Sequence, residues 1–112
     1  MLSNELTKGT LKTILLKLLD EEGKMYGYEI TQHVKTLSDG KMILTEGALY
    51  PTLHKLEAEG LVKTKQIMVG KRMRKYYTLT AKGKKANKNK LAEFQEFINA
   101  MQLILKPKTT SS

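Results

Sequence analysis

Residues 45–79 constrain the fold of this chain more than any other stretch. From Thr45 to Glu57, Leu49, Leu53 and Leu56 recur at helical spacing. Two β-prone runs follow at once, Leu61 to Val69 and Arg72 to Leu79, separated by Gly70-Lys71. A helix feeding directly into a hairpin is the layout of a winged helix, and the expected class is α+β, mainly α: a winged helix-turn-helix with a long C-terminal helix. From Leu61 to Lys90 the chain carries eleven basic residues and no Asp or Glu. So one-sided a stretch needs a polyanion or abundant water beside it. Because it follows a candidate recognition helix, double-stranded DNA is the economical partner.

The remaining elements follow from periodicity and capping. Leu11, Ile14, Leu15, Leu18 and Leu19 make an amphipathic first helix that Gly23 stops. A second helix is expected from about Tyr26, with Tyr26, Ile30, Val34 and Leu37 on one face, closing at Ser38-Asp39-Gly40. Met42-Ile43-Leu44 has room for a stub of strand, expected to pair with the hairpin. Thr45 caps the third helix, with Glu46 well placed against the helix dipole. Pro51 complicates that helix, since an interior proline removes a hydrogen bond and costs about 3 kcal/mol. Either the first turn is irregular or the regular helix begins nearer Tyr50. Gly60 takes a left-handed position at its end and Leu61 supplies the apolar contact after the cap. In the hairpin Tyr77 and Leu79 share a core-facing side, leaving Arg72, Arg74 and Tyr76 on the other. Thr80 caps a fourth helix, Ala81 to Leu105, which stops at Pro107. The expected organisation is a DNA-binding domain over 1–80, a dimerisation helix over 81–105 and a disordered tail over 106–112.

Composition removes several function classes. At 112 residues the chain is one domain, small enough that burial against a second copy would help it considerably. The net charge is +9, and nine of the eleven acids precede residue 60, so the basic surface is local. Without cysteine there is no disulfide, thiolate nucleophile or thiolate zinc site, which fits a reducing cytoplasm. The N-terminus lacks the basic start of a signal segment. The most apolar run, Leu11 to Leu19, is interrupted by Lys12 and Lys17, so no membrane association is expected. His33 and His54, the only histidines, fall on separate helices with no matched acidic spacing, and a metal site is not expected. No nucleophile elbow or glycine-rich phosphate loop is present, so neither catalysis nor a cofactor is expected.

Two surfaces remain as candidates. With the leucines of the third helix inward, Thr45, Glu46, Gly47, Tyr50, Thr52, His54 and Lys55 are the candidates to meet DNA, small residues permitting close approach and the polar ones reaching base edges or phosphates. Packing of Tyr50 under the helix is the competing role for that residue. Lys71, Arg72 and Arg74 at the hairpin tip are placed to grip the adjacent backbone or minor groove. Lys82, Lys84, Lys85, Lys88 and Lys90 spread around the fourth helix as on any solvated helix. Farther along, Leu91, Phe94, Ile98, Met101 and Leu105 are spaced three, four, three and four apart, and Phe97 and Ile104 widen the stripe. A helix projecting past a small core has little of its own chain to pack on, so a homodimer is expected. The residues offered there could also leave a gap for an apolar effector.

Three blocks come in a fixed order: Tyr26-Gly27-Tyr28-Glu29-Ile30, the run Leu49 to Val62, and Lys75 to Gly83. Together they make the sequence resemble the PadR family of bacterial transcriptional regulators over about residues 9–105, in the short branch with a single helix after the hairpin. The resemblance implies a homodimeric winged-helix repressor of an inverted-repeat operator, often released by a small effector. Two readings from other classes stand beside it. One is a sequence-indifferent architectural or RNA-binding protein, disfavoured because exposed sheet aromatics are few. The other is a pure effector sensor or adaptor that binds a protein partner through the apolar stripe of the last helix.

Overall fold

A computed structural model describes residues 2–108. It holds α1 (Asn4–Glu22), β1 (Lys24–Tyr26), α2 (Gly27–Leu37), α3 (Glu46–Ala58), β2 (Val62–Val69), β3 (Arg72–Leu79) and α4 (Ala81–Leu105). The class is the one expected, a mainly helical winged helix-turn-helix with a long last helix. Residues 109–112 of the tail expected at 106–112 lie outside the described residues, as does Met1.

Leucines of α1 occupy the centre of the core. Leu11, Leu15, Leu16 and Leu19 are buried there with Ile30 of α2, Leu49, Leu53 and Leu56 of α3, and Tyr77 of β3. Ser3 starts α1 by accepting the Leu6 N–H, and Gly23, at φ 85°, ends it while donating to the Leu19 carbonyl at 3.0 Å. Leu37 departs from the expected apolar face of α2. It is exposed, because the helix ends there and Ser38 to Gly40 turn away from the core.

The third strand of the sheet is not the expected one. Met42 to Leu44 pairs with nothing in the sheet, and the strand order is β1-β3-β2 with both pairings antiparallel. Lys24–Tyr26 takes the free edge of β3 because the chain leaves Gly23 beside it, which sets Met25 opposite Tyr77 with both side chains buried. Leu44 is buried without any ladder, and the Met42 N–H is satisfied by Ser38 Oγ at 3.0 Å. Across the two-residue loop Gly70-Lys71, Val69 faces Arg72. Gly70 has a φ of 63° whereas Lys71 keeps an ordinary negative φ, the pattern of a II′ turn.

Pro51 leaves α3 unbroken. The helix is regular from Glu46, and neither alternative drawn from the sequence holds. Pro51 stands near the helix start, and the Gly47 carbonyl that loses its N–H partner is on an exposed residue, where water can replace the bond. At the other end Leu61 N–H bonds the Leu56 carbonyl at 2.9 Å and Gly60 takes a φ of 76°, as the cap residues required.

The direction of α4 is set where it begins. Thr80 accepts the Gly83 N–H at 3.0 Å while its own hydroxyl donates to the Gly60 carbonyl at 2.6 Å, and Lys82 Nζ donates to the Glu59 carbonyl. Gly83 lies so close to the α3–β2 turn that a Cβ there would stand 2.0 Å from the Leu61 carbonyl oxygen. The first turns of α4 are thus built into the winged helix, with Gly83 and Asn87 buried, while its last turns run out along a molecule 70 Å in its longest dimension.

Candidate nucleic-acid interface

The outward face of α3 is defined by subtraction. With Leu49, Leu53 and Leu56 inside, the residues opposite them are Gly47, Pro51, His54, Lys55 and Ala58, all exposed. Gly47 has no side chain and Pro51 only a flat ring, so the first turns of the helix can approach a groove floor closely. Pro51 is a surface residue that its reading as a helix breaker hid; its place in the 47, 51, 54, 58 spacing was the signal. Thr45 Oγ1 accepts the Ala48 N–H at 3.2 Å, capping the helix, and Glu46 is exposed in its first turn.

Tyr50 and Thr52 are half-buried. The Tyr50 ring packs against the core, and its hydroxyl fills the space beside Gly27 that a Cβ would need, 2.2 Å away. That contact locks α3 against the start of α2. Thr52 Oγ1 donates to the Ala48 carbonyl at 3.0 Å, so in this rotamer its oxygen remains only an acceptor.

The pleat of the hairpin divides the wing cations between two faces. Thr64 Oγ1 donates to Glu57 of α3 at 3.2 Å, and Tyr77 opposite it is buried, so this face looks at α3. Lys75, two residues along β3, shares that face and sits with Nζ 5.6 Å from the Tyr77 ring centroid. Lys75 was absent from the residues proposed from sequence, although alternation counted from Tyr77 places it there. Arg72 and Arg74 project from the opposite face. Lys71 and Arg72 are exposed, but Arg74 turns back: its guanidinium lies 4.0 Å from the Tyr26 centroid, and the Tyr26 and Tyr76 rings meet edge to face at 5.5 Å and 78°. The Tyr76 hydroxyl holds the Arg74 pKa above its ordinary value, with smaller contributions from Tyr26 and Glu29. The expected wing triplet is therefore brought together only in part.

Of the acidic side chains near this surface, three are engaged with the protein itself, while Glu46 stays exposed in the first turn of α3. Glu57 accepts from Thr64, Glu59 pairs with Lys12 at 3.2 Å, and Glu29 accepts the Tyr26 N–H at 3.1 Å. Beyond Glu46, the field beside α3 and the hairpin is set by Lys55, Lys63, Lys65, Lys71, Arg72 and Lys75, an arrangement suited to phosphate.

The stripe of α4 is partly covered. Leu91, Phe94, Ile98 and Met101 are half-buried, whereas Phe97 is 55% and Leu105 69% exposed, with Ile104 and Leu103 more so. Between α4 and the start of α1 lies a groove of about 550 Å³ lined by Glu5, Leu6, Gly9, Thr10, Glu93, Phe94 and Phe97. No helix among the described residues is long and apolar enough to cross a membrane, and no group of three metal-ligating side chains converges among them.

A helix-turn-helix whose second helix is exposed beside a basic hairpin defines a winged-helix protein of the nucleic-acid-binding class. The profile of the transcriptional regulator PadR-like family matches residues 15–89, and the chain belongs to that family, whose members are regulators of transcription and not enzymes. It is similar to a transcriptional regulator of Mycobacterium tuberculosis, 38% identical over 65 residues, 58% of each chain. Among solved structures it resembles a transcriptional regulator from Clostridium thermocellum, with 30% identity, a TM-score of 0.84 and coverage of 95% of this chain and 100% of that one. A PadR family transcriptional regulator from Eggerthella lenta aligns at 29% identity and a TM-score of 0.76, over 93% of this chain and 88% of the other.

Proposed function

We propose that this PadR-like regulator acts in the cytoplasm as a homodimeric repressor that binds an inverted-repeat operator in double-stranded DNA. The observation that carries this reading is the exposed face of α3, Gly47, Pro51, His54 and Lys55, set beside a hairpin whose surroundings from Leu61 to Lys90 contain no acid. Thr45, Glu46, Gly47, His54 and Lys55 enter the major groove and Thr52 offers an acceptor at its edge. Lys71, Arg72 and Lys75 hold the flanking backbone. Tyr50 and Arg74 support the surface from behind through Gly27 and Tyr26.

Dimerisation is supported by the apolar side chains of α4 that its own chain covers only in part, Ile98 and Met101, or leaves exposed, Phe97 and Leu105. These continue a three-four spacing suited to a facing helix. Two copies joined there would present two α3 helices to half-sites roughly 34 Å apart. The groove beside Leu6, Phe94 and Phe97, lined also by Glu5, Thr10 and Glu93, has the size to receive a small apolar or aromatic effector, whose binding would shift the two copies.

The test is a mobility-shift titration of the purified protein on duplex DNA from upstream of its own gene, with random duplex as competitor. Retention of the specific complex under a large excess of random DNA supports the reading. Equal competition by random DNA would assign the sequence-indifferent alternative, and absence of any shift would remove DNA as the partner.

A further inference from the structure

The sheet has a second face, turned away from the core. In its cross-strand rows Lys24 and Lys63 flank Thr78, Tyr26 and Lys65 flank Tyr76, and Arg74 stands in the next row of β3. These positions alternate with the buried Met25, Tyr77 and Leu79, so they point outward. Lys24, Lys63 and Lys65 are exposed, and the three strands contain no Asp or Glu. Glu29 of α2 is tied to the Tyr26 N–H at 3.1 Å. Two half-buried tyrosines are interleaved with these cations. The Arg74 guanidinium lies 4.0 Å from the Tyr26 centroid and Lys24 Nζ 5.3 Å from that of Tyr76.

We propose that this outer face of the sheet binds a single strand of DNA, with Tyr76 and the Arg74–Tyr26 pair stacking on unpaired bases and Lys24, Lys63 and Lys65 holding phosphates. A duplex keeps its bases stacked on one another, so rings set among the cations add nothing to its grip. Unpaired bases expose their π-faces, and the partners of those faces are aromatic rings and guanidinium planes. An acidic peptide would meet the lysines, but only a nucleic acid strand repeats a flat base with every negative charge, which is the alternation this face offers. DNA is the strand chosen because a regulator held on duplex by α3 has an opened strand of the same promoter within reach. To that extent the inference rests on the proposed function.

The experiment measures fluorescence anisotropy of a labelled oligothymidylate, an oligouridylate and the upstream duplex with the full chain, Tyr76→Thr, Tyr76→Phe and Lys24→Gln/Lys63→Gln. Threonine keeps a β-former in the strand, and a thermal melt checks each fold. Tyr76→Thr is expected to bind oligothymidylate about tenfold more weakly while its affinity for the duplex falls far less. Tyr76→Phe keeps the ring and should bind as the parent does, and the lysine pair should flatten the salt dependence. A parent that ignores oligothymidylate, or a Tyr76→Thr variant that binds it as the parent does, would overturn the proposal. So would a Phe variant as weak as the Thr variant, which would assign the hydroxyl and not the ring. Equal losses on both DNAs would overturn it by making the face part of the duplex site, and tighter binding of oligouridylate would do so by assigning RNA. A parent that binds oligothymidylate but no duplex would refute the proposed function and leave this face as a site for single strands.

Discussion

The guanidinium of Arg74 lies 4.0 Å from the ring centroid of Tyr26, so an arginine within the basic hairpin is held by the short strand on the far side of β3. Its expected effect is on the fold. Arg74→Ala and Tyr26→Leu should each lower the melting temperature by a few degrees. Lys71→Ala/Arg72→Ala should leave the melt unchanged and reduce the salt slope of DNA binding, which Arg74→Ala should reduce much less. A salt titration of the three variants checks the division.

Gly27 and Gly83 are both crowded, but by different neighbours. A Cβ at Gly83 would meet the Leu61 carbonyl, which is backbone and cannot yield, so Gly83→Ala should cost about 3 kcal/mol or prevent folding. A Cβ at Gly27 would meet the Tyr50 hydroxyl. Gly27→Ala should therefore be damaging alone and partly relieved when combined with Tyr50→Leu. Denaturant melts of the single and double variants read the coupling.

Burial, followed by the nearby Tyr50 and Glu57, raises the Tyr77 hydroxyl pKa above the ordinary tyrosine value. The folded chain then keeps a proton that the unfolded chain has released. The stability linked to it is full below about pH 10 and is lost as pH rises through the folded pKa. Melting temperature should fall more steeply above pH 10 in the parent than in Tyr77→Phe, and parallel curves would show that another group governs alkaline unfolding.

Ile98→Asp/Met101→Asp places two carboxylates on the last turns of α4, beyond the residues that α4 packs into the winged helix. The proposed dimer should separate, since burying unpaired carboxylates costs several kcal/mol. Sedimentation is expected to give the monomer mass, with the winged helix still melting cooperatively and operator affinity falling at least tenfold.

Much of the fold was legible because its signals are local. Thr45, Gly60 and Thr80 mark helix ends through caps that involve only their neighbours, and the leucine spacing of α1 and α3 declares a buried face without reference to the rest of the chain. The charge asymmetry after Leu61 and the Gly70-Lys71 turn likewise needed no tertiary information. Tertiary structure decided which segment joins the sheet. Met42 to Leu44 and Lys24 to Tyr26 are both short enough to serve, and only the exit of the chain from Gly23 beside β3 distinguishes them. It also decided which candidate side chains remain free. Local criteria left Tyr50 open between DNA and packing under the helix and put Arg74 on the surface, and each is claimed by a partner more than twenty residues earlier, Gly27 and Tyr26. Periodicity assigns a residue to a face, but only the packing of distant segments determines whether that face stays open.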